Sequence, residues 1–118
     1  MINITGQVRS AVRESGVASG ICAVFVPHTT AGISINENAD PDVIRDILKE
    51  MDKVVPADDC YAHSEGNSAA HIKASLFNSS CSVIVEGGEL QLGTWQSIFF
   101  CEFDGPRSRS VWVKVVGH

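Results

Sequence analysis

Ser82-Val83-Ile84-Val85-Glu86-Gly87-Gly88-Glu89-Leu90-Gln91-Leu92 decides the fold class of this chain. Two short apolar runs, 82–85 and 90–92, flank Gly87-Gly88, and a glycine pair between strand-like runs marks a hairpin turn. Downstream, 95–103 and 110–116 are further strand candidates, and Asp104-Gly105-Pro106 predicts a second hairpin turn. The last third of the chain is therefore β-rich.

Upstream the pattern changes. Residues 5–15 predict a helix with Thr5 as its N-cap, an apolar stripe of Val8, Ala11 and Val12, and Gly16 as its stop. The β-branched run 21–26 predicts a strand interrupted by Pro27. Ile33 and Ile35 alternate with Ser34 and Asn36, the pattern of a half-buried strand. Asp40 caps a second helix, Pro41 suits its first position, and Val43, Ile44, Ile47, Leu48 and Met51 recur at helical spacing until 53–56 end it. Residues 56–67 lack periodicity and predict a long loop, a common home for function. A third helix is expected over 68–77, with Ser68, His71, Ser75 and Asn78 in a polar stripe and Ala69, Ile72 and Leu76 on an apolar face.

Helices and antiparallel hairpins in separate blocks predict an α+β fold of curved, mainly antiparallel sheets with two to three helices. The length predicts a single domain, 1–118. The βαβ alternation and Gly-rich phosphate loop of a dinucleotide-binding domain are missing.

Composition excludes several function classes. The net charge is −5, and the nine Lys and Arg are dispersed, the densest group being Arg107-Ser108-Arg109. Nucleic acid and anionic membranes both require a basic surface, so neither is an expected partner. No apolar run approaches the roughly 20 residues of a membrane span, and no leader pattern is visible. The cysteines Cys22, Cys60, Cys81 and Cys101 form no CxxC pair. Cys22, Cys81 and Cys101 lie in apolar runs as small buried hydrophobes, which fits a reducing cytoplasm, and Cys60 is the candidate reactive thiol. The modest charged fraction hints at surface covered by another subunit.

Chemistry concentrates around histidine, of which the chain has four. His28-Thr29-Thr30, His63-Ser64-Glu65-Gly66-Asn67-Ser68 and His71-Ile72-Lys73, with Glu37 and Asn38, predict one polar pocket. Imidazole near carboxylate can bind a metal, carry a proton or hold an anion at neutral pH. His28, His63 and His71 can supply three nitrogens to a divalent metal, Mg or Zn, with Glu65 or Glu37 behind them or acting as base. The same residues can instead handle an anion or a proton, with His28, His71, Glu65 and Lys73 as the catalytic set. Thr29 and Thr30 offer hydroxyls to a ligand oxygen, and Asn38 is a further polar contact. Glu65-Gly66-Asn67-Ser68 opens the third helix, where free N–H groups and the positive dipole end favour a phosphate; Asn67 or Ser68 can also simply cap the helix. Lys73 and Arg107 are the expected phosphate counter-charges. Glu102, set among Phe99, Phe100, Cys101 and Phe103, must be paired, face the pocket or lie at an interface. Trp95 is assigned to the core or a subunit interface. His63-x-Glu65 lacks the downstream PCxxC of nucleobase deaminases, and no GxSxG elbow occurs.

Four stretches carry a resemblance to a known family: Val26-Pro27-His28-Thr29-Thr30-Ala31 with Ile35-Asn36-Glu37-Asn38; Glu65-Gly66-Asn67-Ser68 with Ala70-His71-Ile72-Lys73; Leu92-Gly93-Thr94-Trp95-Gln96; and Cys101-Glu102-Phe103-Asp104-Gly105-Pro106-Arg107. Together they resemble the YjbQ-like family of secondary thiamine-phosphate synthases. The resemblance implies a homotrimer, and a site built from the His28, Glu65–Ser68 and His71 segments. It implies weak joining of hydroxymethylpyrimidine diphosphate to thiazole phosphate with release of diphosphate, so the expected partner is a small phosphorylated substrate. It also implies a strand before the segment Met1-Ile2-Asn3-Ile4-Thr5, at which this chain starts. A non-catalytic homotrimer binding a metal or phosphometabolite is the alternative.

Overall fold

Strand pairing, more than the helices, sets the architecture. A computed structural model describes residues 1–117, in the order β1 (Ile2–Asn3), α1 (Thr5–Ser15), β2 (Gly20–Phe25), β3 (Ala31–Glu37), α2 (Pro41–Val54), α3 (Ser68–Leu76), β4 (Ser80–Glu86), β5 (Glu89–Leu90), β6 (Gln96–Glu102) and β7 (Trp112–Gly117). The strands form two sheets, ordered β1-β6-β3 and β5-β4-β2-β7. Every pairing within them is antiparallel. The α+β fold expected from the sequence is the fold found.

The Gly87-Gly88 hairpin forms as read. Val85 faces Leu90 and Glu86 faces Glu89, with both glycines at positive φ, 58° and 74°. That backbone matches the strand twist, and only glycine adopts it without strain. The second expected hairpin does not form. β6 pairs with β1 and β3, whereas β7 pairs with β2 in the other sheet. The segment from Phe103 to Val111 is therefore a crossover between sheets, and this crossover brings its arginines to the site described below.

Alternation along the strands builds the core. In β2, Cys22 and Val24 point inward while Ile21 and Phe25 point out. Val8 and Val12 of α1 meet Ile33, Val83, Val85, Ile98 and Phe100 from both sheets. Ile33 and Ile98 are fully buried; each contributes about 2–3 kcal/mol by leaving water. Gly20 shows how closely two strands approach: a Cβ there would lie 2.0 Å from the Val116 carbonyl oxygen.

Three local readings change. Thr5 is not the cap of α1; Ile4 holds that position. The buried Thr5 hydroxyl instead donates to Asn3 Oδ1 at 2.6 Å and accepts from the Ile98 N–H at 2.9 Å, fastening the helix start to β6. Trp95 is 63% exposed, so the core is not its place within the protomer. In α3 the buried residues are Ala69 and Ala70, while Ile72 and Leu76 face out. Gly32 of β3 lets the chain just past α3 come close: a Cβ there would sit 3.0 Å from the Asn78 carbonyl oxygen and 3.3 Å from Phe77 Cβ. In α2, Asp40 Oδ1 accepts from the Asp42 N–H as a cap should. None of the α2 residues is buried, despite the helical spacing of its apolar side chains.

Candidate functional site

Where β2 ends, Val26-Pro27-His28-Thr29-Thr30 turns the chain into β3. This turn, the Phe103–Val111 crossover, the loop carrying His63 and Glu65 and the start of α3 border an open cavity of about 400 Å³. Pro27, His28, Thr29, Thr30, His63, Glu65, Asn67, His71, Arg107 and Arg109 line it. A second opening of about 390 Å³, lined by His28, Thr29, His71 and Ser75 among others, adjoins it across the same two histidines. Three imidazoles distant in sequence thus share one cavity.

Their individual settings differ. The His63 and His71 rings meet edge to face, 5.4 Å between centroids. His63 Nε2 lies 3.9 Å from Glu65 Oε2, too long for a hydrogen bond and close enough for attraction when the ring is protonated. His28 Nε2 accepts a 2.8 Å hydrogen bond from the Ser110 backbone N–H.

Behind the cavity lies a chain of ionic contacts. Arg109 grips Glu102 with two hydrogen bonds, Nε to Oε1 at 2.7 Å and the terminal nitrogen to Oε2 at 2.6 Å. The same nitrogen donates to the Thr30 hydroxyl at 2.8 Å. Glu102 Oε2 also accepts from the Asp104 N–H at 2.9 Å. Arg109 foremost holds the Glu102 carboxyl below its usual range, and Glu102 in turn raises Arg109. Gly105 closes over this carboxylate: a Cβ there would sit 2.7 Å from Glu102 Cγ. Asp104 accepts from the Asn67 amide at 2.9 Å and from Arg107 at 2.8 Å. Those contacts, that of Asn67 first, keep its carboxyl below the usual range.

The expected site residues divide accordingly. His28, Thr29, Thr30, His63, Glu65, Asn67, His71 and Arg107 line the cavity; Gly66 and Ser68 flank Asn67 without lining it. Asn67 occupies the N-cap position of α3, but its side chain makes no cap hydrogen bond: its amide nitrogen donates to Asp104, and its buried Oδ1 has no hydrogen-bond partner among the described residues. Two expectations need correction. Lys73 is not at the cavity; its Nζ bonds Asp52 Oδ1 at 2.7 Å and ties α3 to α2. Two residues beyond His71, it points about 200° around the helix. Asn38 follows the far end of β3, roughly 25 Å of strand away from Thr30, and its N–H bonds the Trp95 carbonyl.

Among the described residues, no three His, Cys, Asp or Glu side chains are grouped so as to hold a metal. Arg109 was not singled out from the sequence as a site residue. Two signals pointed to it: an acid in an apolar run that required a partner, and the densest basic group of the chain a few residues later.

The family described as UPF0047 protein YjbQ-like matches residues 1–118. The UPF0047 protein YugU of Bacillus subtilis is 53% identical over 118 residues, covering 99% of this chain and 89% of that protein. The UPF0047 protein of Methanocaldococcus jannaschii is 51% identical, covering 99% and 85%. A crystal structure of an uncharacterized family protein from Clostridium acetobutylicum superposes with a TM-score of 0.95 at 63% identity, covering 98% of this chain and 89% of that one. A YbjQ-like protein of unknown function from Sulfolobus solfataricus gives a TM-score of 0.94 at 37% identity, covering 99% and 86%. Sequence motifs, strand order and these likenesses converge: the chain belongs to the YjbQ-like UPF0047 family.

Proposed function

We propose that the protein is an enzyme acting on a small phosphorylated substrate in the histidine-lined cavity, with weak thiamine-phosphate synthesis as the reaction to test and its physiological substrate left open. The observation that carries the reading is the gathering of His28, His63 and His71 with Arg107, Thr29 and Thr30 around one cavity. Release of diphosphate requires charge stabilisation on the departing oxygens. Arg107 supplies fixed positive charge, and imidazole N–H groups supply donors that can also pass a proton. Asp104 holds Arg107 in place, and Arg109 holds Thr30. The test is turnover of hydroxymethylpyrimidine diphosphate and thiazole phosphate to thiamine phosphate, with and without Mg²⁺. His71→Ala should abolish turnover in a protein that stays folded. Binding of inorganic phosphate without turnover of this pair refutes the specific reaction and leaves a phosphometabolite-binding protein.

We further propose that the protein works as a homotrimer. Two unlike apolar patches support this. On the outer face of the four-stranded sheet, Ile21 lies beside Ile84 and Val116, and Phe25 stacks near Trp112 with ring centroids 5.7 Å apart. On the helices, Leu48, Ile72 and Leu76 are exposed. A cyclic assembly joins one patch to the other on the next copy, and the number of three is what the family resemblance implies. Sedimentation should give three times the protomer mass, and Trp112→Lys should dissociate it. A monomeric wild type overturns the assembly. No helix among the described residues is long and apolar enough to cross a membrane.

A further inference from the structure

His28 is held in a way that decides which kind of ligand atom it can meet. The Ser110 backbone N–H donates to its Nε2 at 2.8 Å. A ring nitrogen that accepts a hydrogen bond carries no proton, so the neutral imidazole carries its proton on Nδ1. A metal ion needs a free lone pair, and the only one on this ring already faces an amide proton. Coordination through Nδ1 would move the proton to Nε2 and set two N–H groups head to head at the same 2.8 Å. The backbone amide cannot yield, because an amide N–H is only a donor.

We infer that His28 is a fixed neutral donor, presenting Nδ1–H to an acceptor oxygen of the ligand, and is neither a metal ligand nor the base. Ser110 is then a positioning residue acting through its main chain, which is why no side-chain motif reveals it. The crossover places this amide one residue from Arg109, whose grip on Glu102 and Thr30 fixes both walls of the turn. Proton movement in the cavity falls to His63 and His71, whose rings meet edge to face. The ligand class follows: an anionic oxygen such as that of a phosphate monoester accepts from Nδ1–H, whereas a cationic or donor group at that position is rejected. This rests on the reading of the cavity as a phosphate site, and the experiment separates the two.

The full chain, labelled with ¹⁵N-histidine, is examined by long-range proton–nitrogen correlation NMR, with His28→Asn identifying the resonance. The expected result is the Nδ1–H tautomer for His28 at neutral pH, unchanged by a stoichiometric amount of Zn²⁺. Inorganic phosphate should shift Nδ1 more than Nε2. In phosphate titrations, His28→Asn, whose amide N–H stands near the Nδ1 position, should bind within a few-fold of wild type. His28→Gln, whose amide reaches instead to the Nε2 position, should bind about tenfold or more weakly, the loss of one hydrogen bond to a charged group. An Nε2–H tautomer, or zinc coordination by His28, overturns the inference whatever phosphate does. A clean Nδ1–H tautomer in a protein indifferent to phosphate refutes the phosphate cavity and the donor role towards it, and leaves the exclusion of metal at His28 standing.

Discussion

Replacing Arg109 by alanine should be among the more damaging single changes in this protein, although Arg109 is no part of the hydrophobic core. The side chains of Arg109 and Glu102 are 11% and 22% exposed, and they share two hydrogen bonds. An exposed ion pair is worth ~0.5 kcal/mol, whereas breaking a buried one costs ~3–5 kcal/mol because the orphaned charge stays buried. The intermediate burial places the loss at about 2–3 kcal/mol, with Thr30 losing its donor as well. For a chain of this length that lowers Tm by roughly 10 °C. Acid should erase the difference. The folded Glu102 carboxyl titrates below its ordinary value of 4.5, so the pair's stabilisation is complete above that pH and is lost as pH falls through the folded value. The variant carboxyl keeps the Asp104 N–H but loses the guanidinium, so it is already easier to protonate. Thermal unfolding followed by circular dichroism at about pH 7 and about pH 3 measures both effects. A deficit under ~0.5 kcal/mol at neutral pH, or one that does not shrink in acid, refutes the reasoning.

Gly105→Ala should strike the same pair from the other side. Its methyl would press on Glu102 Cγ at 2.7 Å and cost about 1–3 kcal/mol, read by urea unfolding. Lys73→Met should leave phosphate binding unchanged by calorimetry, since Lys73 pairs with Asp52 away from the cavity, and should cost no more than ~1 kcal/mol of stability. Ellman's reagent on the folded protein should label Cys60 alone at speed. Cys60 is exposed, whereas Cys22 and Cys101 are buried, and burial pushes Cys81 and Cys101 up to about 11. Rapid reaction of more than one thiol would show that the core opens easily.

Local signals were legible wherever one segment satisfies its own constraints. The Gly87-Gly88 turn, the Asp40-Pro41 helix start and the 5–15 helix needed only their own residues, and each formed where read. Glycine at positive φ and a carboxylate at an N-cap are decided within a few bonds. Glu102 announced its need for a partner, since an apolar strand cannot host a bare carboxylate. The histidine runs pointed to a pocket by their chemistry, although His63 and Glu65 are exposed and water alone could have satisfied them.

Tertiary structure alone decided the remainder. Whether Asp104-Gly105-Pro106 folds into a hairpin or crosses between sheets depends on which strands β6 and β7 pair with, and those partners lie far back in the chain. That crossover set Arg109 on Glu102 and the Ser110 amide on His28. The same dependence sent Lys73 to Asp52 and left Asn38 at the wrong end of β3. Composition and spacing determine which side chains require partners. The partner each one finds is fixed only when strands distant in sequence pair, because the free energy of those contacts belongs to the assembled sheets and to no single segment.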